Sequence, residues 1–320
     1  MKYSKILIDG NNVYHRFYCV NNGMKTKLKG TDVQLKTGGI YGSIKYLQSI
    51  DKYLSNLSNS RVYILFDNFS TRISNRKEID PEYKSNRERR NPAYYRGIEY
   101  LQLILLSYSN KYSLIYRSNY EADDLCKPLI ETFPKDDFIL VVSDDQDWAR
   151  LIDYNKRNVN WLFQREVYDK YAFNKRYGYY PSANKIILYK TIRGDTSDNI
   201  PVGLPYLPEN ILLQLLNDYE NIYQVLNNLN DIDYLHKEWR QKFNSCKNRL
   251  MLNNDLVEYL NIPENEIFSY IYNCKFNKLA LILLYNALGF KISKIDNRCV
   301  ENQEKDVVQT FINREKIKRM

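Results

Sequence analysis

A chain of 320 residues can hold one large domain or two ordinary ones, and 44% hydrophobic with 27% charged residues reads as a soluble globular composition. Its 47 Lys and Arg against 38 Asp and Glu leave a formal charge of +9, which points to a polyanionic partner. No apolar run reaches bilayer length, the opening MKYSKILIDG lacks a leader's long apolar region, the five cysteines form no CxxC pair and there are two histidines. A membrane span, a secretory signal, a zinc centre and imidazole catalysis are thereby set aside, and a cytoplasmic protein whose metal chemistry rests on oxygen ligands is expected.

In chain order, KILIDG (5–10) reads as a buried strand, GIYGSIKYLQSIDKYLSNL (39–57) as a helix and RVYILFDN (61–68) as a second strand. A basic segment follows over 69–97, containing Arg72, Arg76, Lys77, Lys84, Arg87, Arg89, Arg90 and Arg96. Pro81 and Pro92 bracket a predicted helix there, on which Lys84 and Arg87, three apart, share a face. Then come a helical pattern in IEYLQLILLSYS (98–109), a strand in YSLIYR (112–117), a helix opening at NYEADDL, and a strand in DFILVVSDD (137–145). Ser143 or Asp144 is placed to cap a helix near Trp148. Strand, helix, strand in this order predicts an α/β fold with a mostly parallel central sheet flanked by helices.

After about residue 185 the apolar spacing turns helical, over 186–192, 211–229, 237–260 and 277–290. Residues 291–320 are polar, with Val307, Val308, Phe311 and Ile312 forming a small helical stripe. The expected organisation is an α/β core over 1–185, a helical region over 186–290 and a polar tail over 291–320.

Carboxylates fall where the strands end. Asp9 closes the first strand, Asp67 the second, and Asp145 with Asp147 the fourth, while Glu121, Asp123 and Asp124 follow the third. In a parallel sheet these groups converge on one edge, where ligands of open α/β sheets bind. So many carboxylates repel one another, and oxygen-only ligation selects Mg²⁺, with Mn²⁺ able to substitute. Asp195 and Asp198 in RGDTSDNIPVGL, three apart on a helical turn, form a second group. Two groups suggest two ions, about 4 Å apart in two-metal phosphoryl-transfer sites, with no protein nucleophile needed. The basic segment after Asp67 is expected to clamp the phosphate over them.

The motifs ILIDGNN, ILFDN, YKSNR, EADD, the S-x-D-x-D of SDDQD, and GDTSDNIP occur in this order over roughly residues 5–230, and more loosely to 290. In this the chain resembles the structure-specific 5′ nucleases: flap endonucleases, bacteriophage 5′ exonucleases and the 5′-nuclease domain of bacterial DNA polymerase I. The resemblance implies a PIN-like nuclease core with a helical arch (about 69–97) and a helix–three-turn–helix (about 186–216) that grips duplex DNA. It makes Asp9, Asp67, Glu121, Asp123, Asp124, Asp145, Asp147, Asp195 and Asp198 the metal-site carboxylates, and Lys84 and Arg87 the arch residues that steer and polarise the phosphate. Tyr83 would stack on a nucleobase, and Arg72, Arg76, Asn199, Gly203 and Leu204 would contact DNA. Asp144 holds a variable position and receives no metal role.

One departure stands out. Where the family reads close to GVPGIG, this chain has VGLPYLPEN (202–210), with Tyr206 and Pro208 in place of glycines. Glycine lets backbone N–H groups approach a phosphate, and proline removes one such donor. The departure bears on duplex grip and on the potassium ion the family often holds in this hairpin, and leaves the metal centre untouched.

The expectation is a Mg²⁺-dependent 5′-3′ exonuclease or flap endonuclease that cuts 5′-flap, nicked, gapped or forked DNA in replication, with removal of RNA primers from RNA–DNA hybrids as a related activity. A monomer of the free-standing, phage-like kind is expected, in the host cytoplasm if phage-encoded, with the 291–320 tail as a contact for replication proteins. Two alternatives stay open. One is a protein that binds branched DNA without cutting, against which the complete carboxylate set weighs. The other is a PIN-type ribonuclease, against which the arch and the GDTSDNIP hairpin weigh.

Overall fold

The structure, a computed structural model, describes residues 3–27, 34–54, 60–67, 75–88, 90–118, 120–258 and 260–290. Arg72 and the tail over 291–320 lie outside the described residues. In chain order the strands are β1 (Lys5–Asp9), β2 (Lys25–Lys27), β3 (Gln34–Lys36), β4 (Arg61–Leu65), β5 (Tyr112–Ile115), β6 (Phe138–Val142), β7 (Asn158–Phe163), β8 (Glu166–Tyr168) and β9 (Ile271–Asn273). The first helices are α1 (Gly10–Val20), α2 (Gly38–Leu54), α3 (Asn75–Ile79), α4 (Pro92–Leu106), α5 (Cys126–Glu131), α6 (Lys170–Tyr177) and α7 (Ala183–Arg193). They are followed by α8 (Glu209–Asp218), α9 (Ile222–Asn227), α10 (Lys237–Ser245), α11 (Lys247–Val257), α12 (Glu264–Ile267) and α13 (Lys278–Ala287).

Two compact units make up the chain. The first comprises residues 1–9, 65–89 and 115–270, and its strands run in the order β8-β7-β6-β1. β1 pairs with β6, and β6 with β7, in parallel, while β8 returns antiparallel at the edge. Ile6, Leu7 and Ile8 of β1 and Ile139, Val141 and Val142 of β6 are buried. Such unbroken apolar runs are what a sheet covered on both faces requires. The helices over 183–257, read from sequence as a region of their own, belong to this same unit.

The second unit comprises residues 10–64, 90–114 and 271–320, with strand order β4-β5-β9. Asn91 caps α4 by accepting from the Ala93 N–H at 2.9 Å, and Pro92 opens the helix where its missing N–H is not needed. Ile98, Leu101, Ile104 and Leu105 on α4 are buried.

The four expected strands are all present, in a mostly parallel arrangement flanked by helices. Several local expectations differ. The 211–229 and 237–260 patterns each form two helices rather than one, because the chain turns at Tyr219–Asn221 and at Cys246. β7, β8 and β9 were not foreseen. EADD does not open a helix: residues 122–125 are turns and α5 begins at Cys126.

Candidate active site

Asp9 is the last residue of β1 and is buried, with its Oδ2 accepting from Ser143 Oγ at 2.8 Å. Ser143 follows the neighbouring β6, so parallel pairing brings the two strand ends side by side. The same hydroxyl oxygen accepts from the Asp145 N–H at 3.0 Å. Asp145, rather than Ser143 or Asp144, caps the short 3-10 helix Gln146–Leu151, accepting from the Asp147 N–H at 2.9 Å. Its own backbone is extended, the geometry an N-cap needs, whereas Asp144 accepts from the Gln164 N–H at 2.9 Å.

Asp67 accepts from the Ala122 N–H at 2.8 Å, which joins the chain after β4 to the EADD turn. Burial, with the Glu121 carboxylate nearby, pushes the Asp67 carboxyl up to about 6. Within EADD each of the three acids has a different nearest cation, and Arg76 reaches both Asp124 and, at 3.6 Å, Glu121. Glu121 Oε2 receives Lys84 Nζ at 2.6 Å, and Asp123 pairs with Arg150. Asp124, fully buried, takes a bidentate contact from Arg76 at 2.8 and 3.0 Å.

The second carboxylate group sits on a hairpin after α7. Gly194 ends that helix with φ +74°, and a Cβ there would stand 2.6 Å from the Ile200 carbonyl oxygen, so the position requires glycine. Asp195 and Ile200 exchange two backbone hydrogen bonds of 2.8 Å, closing a tight loop around one 3-10 turn, Thr196–Asp198. Asp195 caps that turn through Ser197, and Asp198 lies three residues on, facing the same side as expected. Oxygens of Asp147, Asp195 and Asp198 come within 4.8 Å of one another. Against the upward push of burial, the Lys190 ammonium and the Ser197 donors hold the Asp195 carboxyl down to about 2. These three acids, with Glu121 and Asp123, line one cleft.

The segment carrying Lys84 and Arg87 is not helical there. Asp80 Oδ1 accepts from the Glu82 N–H at 2.9 Å, starting a run of turns over 81–86, and Lys84 has φ 55°. This run is stitched to the Asp195 hairpin. The Lys84 N–H donates to the Asp198 carbonyl at 2.8 Å, Asn86 Nδ2 to Thr196 O at 2.7 Å, and Arg87 Nε to Ser197 O at 3.1 Å. Both basic side chains still reach the site, because the docked turn does the positioning a helix face was expected to do. Lys84 Nζ is 3.7 Å from Asp198 Oδ2, and Arg87 Nη2 is 2.5 Å from Asp198 Oδ1 with half of its side chain exposed.

Several residues expected to meet DNA are occupied within the protein. Tyr83 is 2% exposed, packs against Ile187, Ile200, Leu256 and Val257, and donates its hydroxyl to Asp198 Oδ2 at 2.9 Å, so its ring is not presented to a base. Arg76 is buried, its guanidinium shared between Asp124 and the carbonyls of Leu256 and Glu258 at 2.9 and 3.0 Å. Asn199, with φ 59°, donates from Nδ2 to Glu82 O and Ser85 Oγ and so clamps the turn run. Gly203 and Leu204 both direct their N–H groups to the Ile192 carbonyl at 3.0 Å, and Leu204 is fully buried. Gly203 is needed for space, since a Cβ would stand 2.1 Å from the Thr191 oxygen. Among the expected ligands, Asp124 is the one whose two oxygens are both taken by a buried guanidinium.

At the departure from the family hairpin, Tyr206 keeps φ 64°, the left-handed conformation glycine would adopt, and is 90% exposed. Pro208, with φ −58°, precedes α8 as its N-cap.

Sequence reasoning missed Lys190 and Arg150, and gave Ser143 a capping role where it instead holds Asp9. Lys190, in the last turn of α7, donates to Asp147 and to Asp195 Oδ2, the latter at 2.6 Å. Arg150 donates to Asp123, to the Asp147 carbonyl at 3.0 Å and to the Val257 carbonyl at 2.7 Å. No local spacing signals these ion pairs: Asp195 lies beyond the Gly194 that ends α7, and the acid that Arg150 meets, Asp123, is 27 positions away. The carboxylates expected to need metal for their stability are therefore partly neutralised by the protein's own cations.

The family model of the N-terminal, resolvase-like domain of 5′-3′ exonucleases matches residues 4–178. The 5′-3′ exonuclease of Buchnera aphidicola is 31% identical over 237 residues, covering 72% of this chain and 76% of that protein. DNA polymerase I of Caldicellulosiruptor bescii is 28% identical over 293 residues, covering 89% of this chain and 32% of that protein. The chain thus spans about a third of the length of the DNA polymerase I relatives it matches. Among solved structures, T5 5′-exonuclease with divalent metal ions (zinc) bound shares the fold with a TM-score of 0.58 at 19% identity, covering 88% of this chain and 97% of that one. With more than half of its length matched, and with Glu121, Asp123, Asp147, Asp195 and Asp198 of the motifs lining one cleft, this chain belongs to the 5′-3′ exonuclease family.

Proposed function

We propose that the chain is a metal-dependent nuclease that hydrolyses phosphodiesters near 5′ ends of DNA, with Mg²⁺ as its ion and Mn²⁺ as a substitute. The observation that carries this is the convergence of Asp147, Asp195 and Asp198, from two separate segments, to within 4.8 Å. An all-carboxylate donor set fits a hard divalent cation. Asp147, Asp195 and Asp198 would hold one ion, and Asp9, Asp67, Glu121, Asp123 and Asp145 would serve a second, directly or through water. Among the described residues Arg76, Lys84, Arg87, Arg150 and Lys190 pair with Glu121, Asp123, Asp124, Asp147, Asp195 and Asp198, and the acids outnumber these cations, an excess that divalent ions would balance. When bound, such ions acidify the attacking water and stabilise charge on the scissile phosphate.

The chain's own residues supply the rest. Arg87, half exposed, and Lys84 pair with Asp198 and Glu121, which line the cleft, and are placed to turn from these acids to a phosphate that enters it. Tyr83 holds Asp198 from below, and Asn199 holds the turn that carries Lys84. The substrate we assign is branched or nicked DNA, with flap, gapped and forked forms and RNA–DNA hybrids cut by the same centre in a monomer. Among the described residues no helix is long and apolar enough to cross a membrane. Replication proteins are the partners we assign to the 291–320 tail.

Purified protein incubated with 5′-labelled flap, nicked, single-stranded and RNA–DNA substrates should cut at least one of them in Mg²⁺ or Mn²⁺ and none in EDTA. Failure to cut any of them with either ion sinks the proposal.

A further inference from the structure

Each cation at the site is held differently. Arg76 and Arg150 have side chains 2% exposed and are fixed by backbone carbonyls as well as by acids. Lys84 is anchored by a docked backbone. Lys190 differs in where its charge sits: among the described residues its ammonium is the one that donates to two of the three acids that converge within 4.8 Å, Asp147 and Asp195, and like that of Lys84 it donates to no carbonyl. One positive charge thus sits inside the group of acids best arranged to take a divalent ion. Lysine suits a contact that must be given up, because its charge is compact, strongly hydrated and carried on a flexible four-carbon stem, whereas a guanidinium bound by several fixed acceptors is not readily released.

We infer that Lys190 is a resident counter-cation of the Asp147–Asp195–Asp198 site, which a divalent ion displaces on binding, so that this residue sets the metal affinity of the free protein. The inference rests on the metal reading of the proposed function. Lys190 is a positioning residue in this scheme: it keeps Asp147 and Asp195 together while no ion is present and opposes the ion's entry. Its charge lowers metal affinity and raises the stability of the metal-free fold, two effects of opposite sign on removal. A lysine present only for packing or for the dipole of α7 would give the second without the first.

The test uses the full chain without DNA, freed of metal by chelation, with Mn²⁺ binding followed by electron paramagnetic resonance at constant pH and salt. Lys190→Gln, which keeps a donor and loses the charge, and Lys190→Met should bind Mn²⁺ at least about tenfold more tightly, as expected from removing a unit charge a few ångströms from a divalent ion. Both should melt at lower temperature without metal and gain more from it, while Lys190→Arg, which keeps the charge, should show no gain in affinity. Unchanged or weaker Mn²⁺ binding by folded Lys190→Gln overturns the inference and leaves the metal reading standing. No Mn²⁺ binding by the wild-type chain defeats both. A measurement independent of variant folding is amine labelling of the wild-type protein read by peptide mass spectrometry. Saturating Mn²⁺ should raise labelling of Lys190 at least about threefold, and unaltered labelling overturns the displacement.

Discussion

Replacing Arg76 by methionine separates a structural role from a DNA-binding one. The guanidinium makes four hydrogen bonds, to Asp124 at 2.8 and 3.0 Å, to Leu256 O at 2.9 Å and to Glu258 O at 3.0 Å. Without it, Asp124 keeps the amides of Glu121 and Leu260 at 3.3 and 3.2 Å but loses its charge partner where it is fully buried. Removing one partner of a buried ion pair costs about 3–5 kcal/mol, mostly through the charge left behind. Urea unfolding followed by circular dichroism in EDTA, where no metal compensates, should show a loss of that size in Arg76→Met. The double variant Arg76→Met/Asp124→Leu should recover at least half of it, because the stranded carboxylate is gone. If Arg76→Met unfolds within about 0.5 kcal/mol of wild type and instead binds DNA more weakly, the pair is not a structural one and the placement of both residues here is refuted.

Three further outcomes follow from the same geometry. Lys84→Ala should slow cleavage more than it weakens duplex binding, since its ammonium sits on Glu121 at 2.6 Å within the site; equal losses in single-turnover rate and in Kd would mark a plain backbone contact. Asp67 has a carboxyl raised to about 6 in the metal-free fold, so the folded chain holds its proton more tightly than the unfolded one: the stability this confers is complete below about pH 4 and is lost as pH rises through 6. Asp67→Asn should therefore be more stable than wild type at pH 7.5 in EDTA by about 3 kcal/mol and lose that advantage at pH 4, checked by urea unfolding at both values. Gly203→Ala places a Cβ 2.1 Å from a backbone oxygen, so α7 and the hairpin must part, and a stability loss of about 2 kcal/mol or more in thermal melts is expected.

The parts of the fold that could be read from sequence are those whose signal is local. The centres of β1 and β6 are unbroken apolar runs because both faces are covered, with Asp9 closing the one and Asp145 three residues past the other, so the sheet edge and its carboxylates could be placed together. β8 and β9, three residues long, are held by neighbours rather than by any pattern of their own. The partners of the acids were invisible for the same reason: Arg76 meets Asp124 across 48 positions and Lys190 meets Asp147 across 43. The position and charge of the basic segment read as a clamp for the phosphate. The structure turns part of it inward, because a cluster of buried acids needs positive charge whether or not a metal is bound.

Tyr206 shows what governs such positions. Its residue type argues against a left-handed turn, yet the backbone keeps φ 64°, at a cost of about 1–2 kcal/mol for a side chain with a Cβ. The turn is therefore imposed by what flanks it: Gly203 and Leu204 bonded to Ile192 on one side, and Pro208 opening α8 on the other. A hairpin held in this way retains its shape when a glycine is lost, and the substitution changes what it presents to the outside, an aromatic ring 90% exposed. The family pattern was thus a guide to backbone shape rather than to side chain, and it failed at the residue where the surrounding bonds could carry the strain.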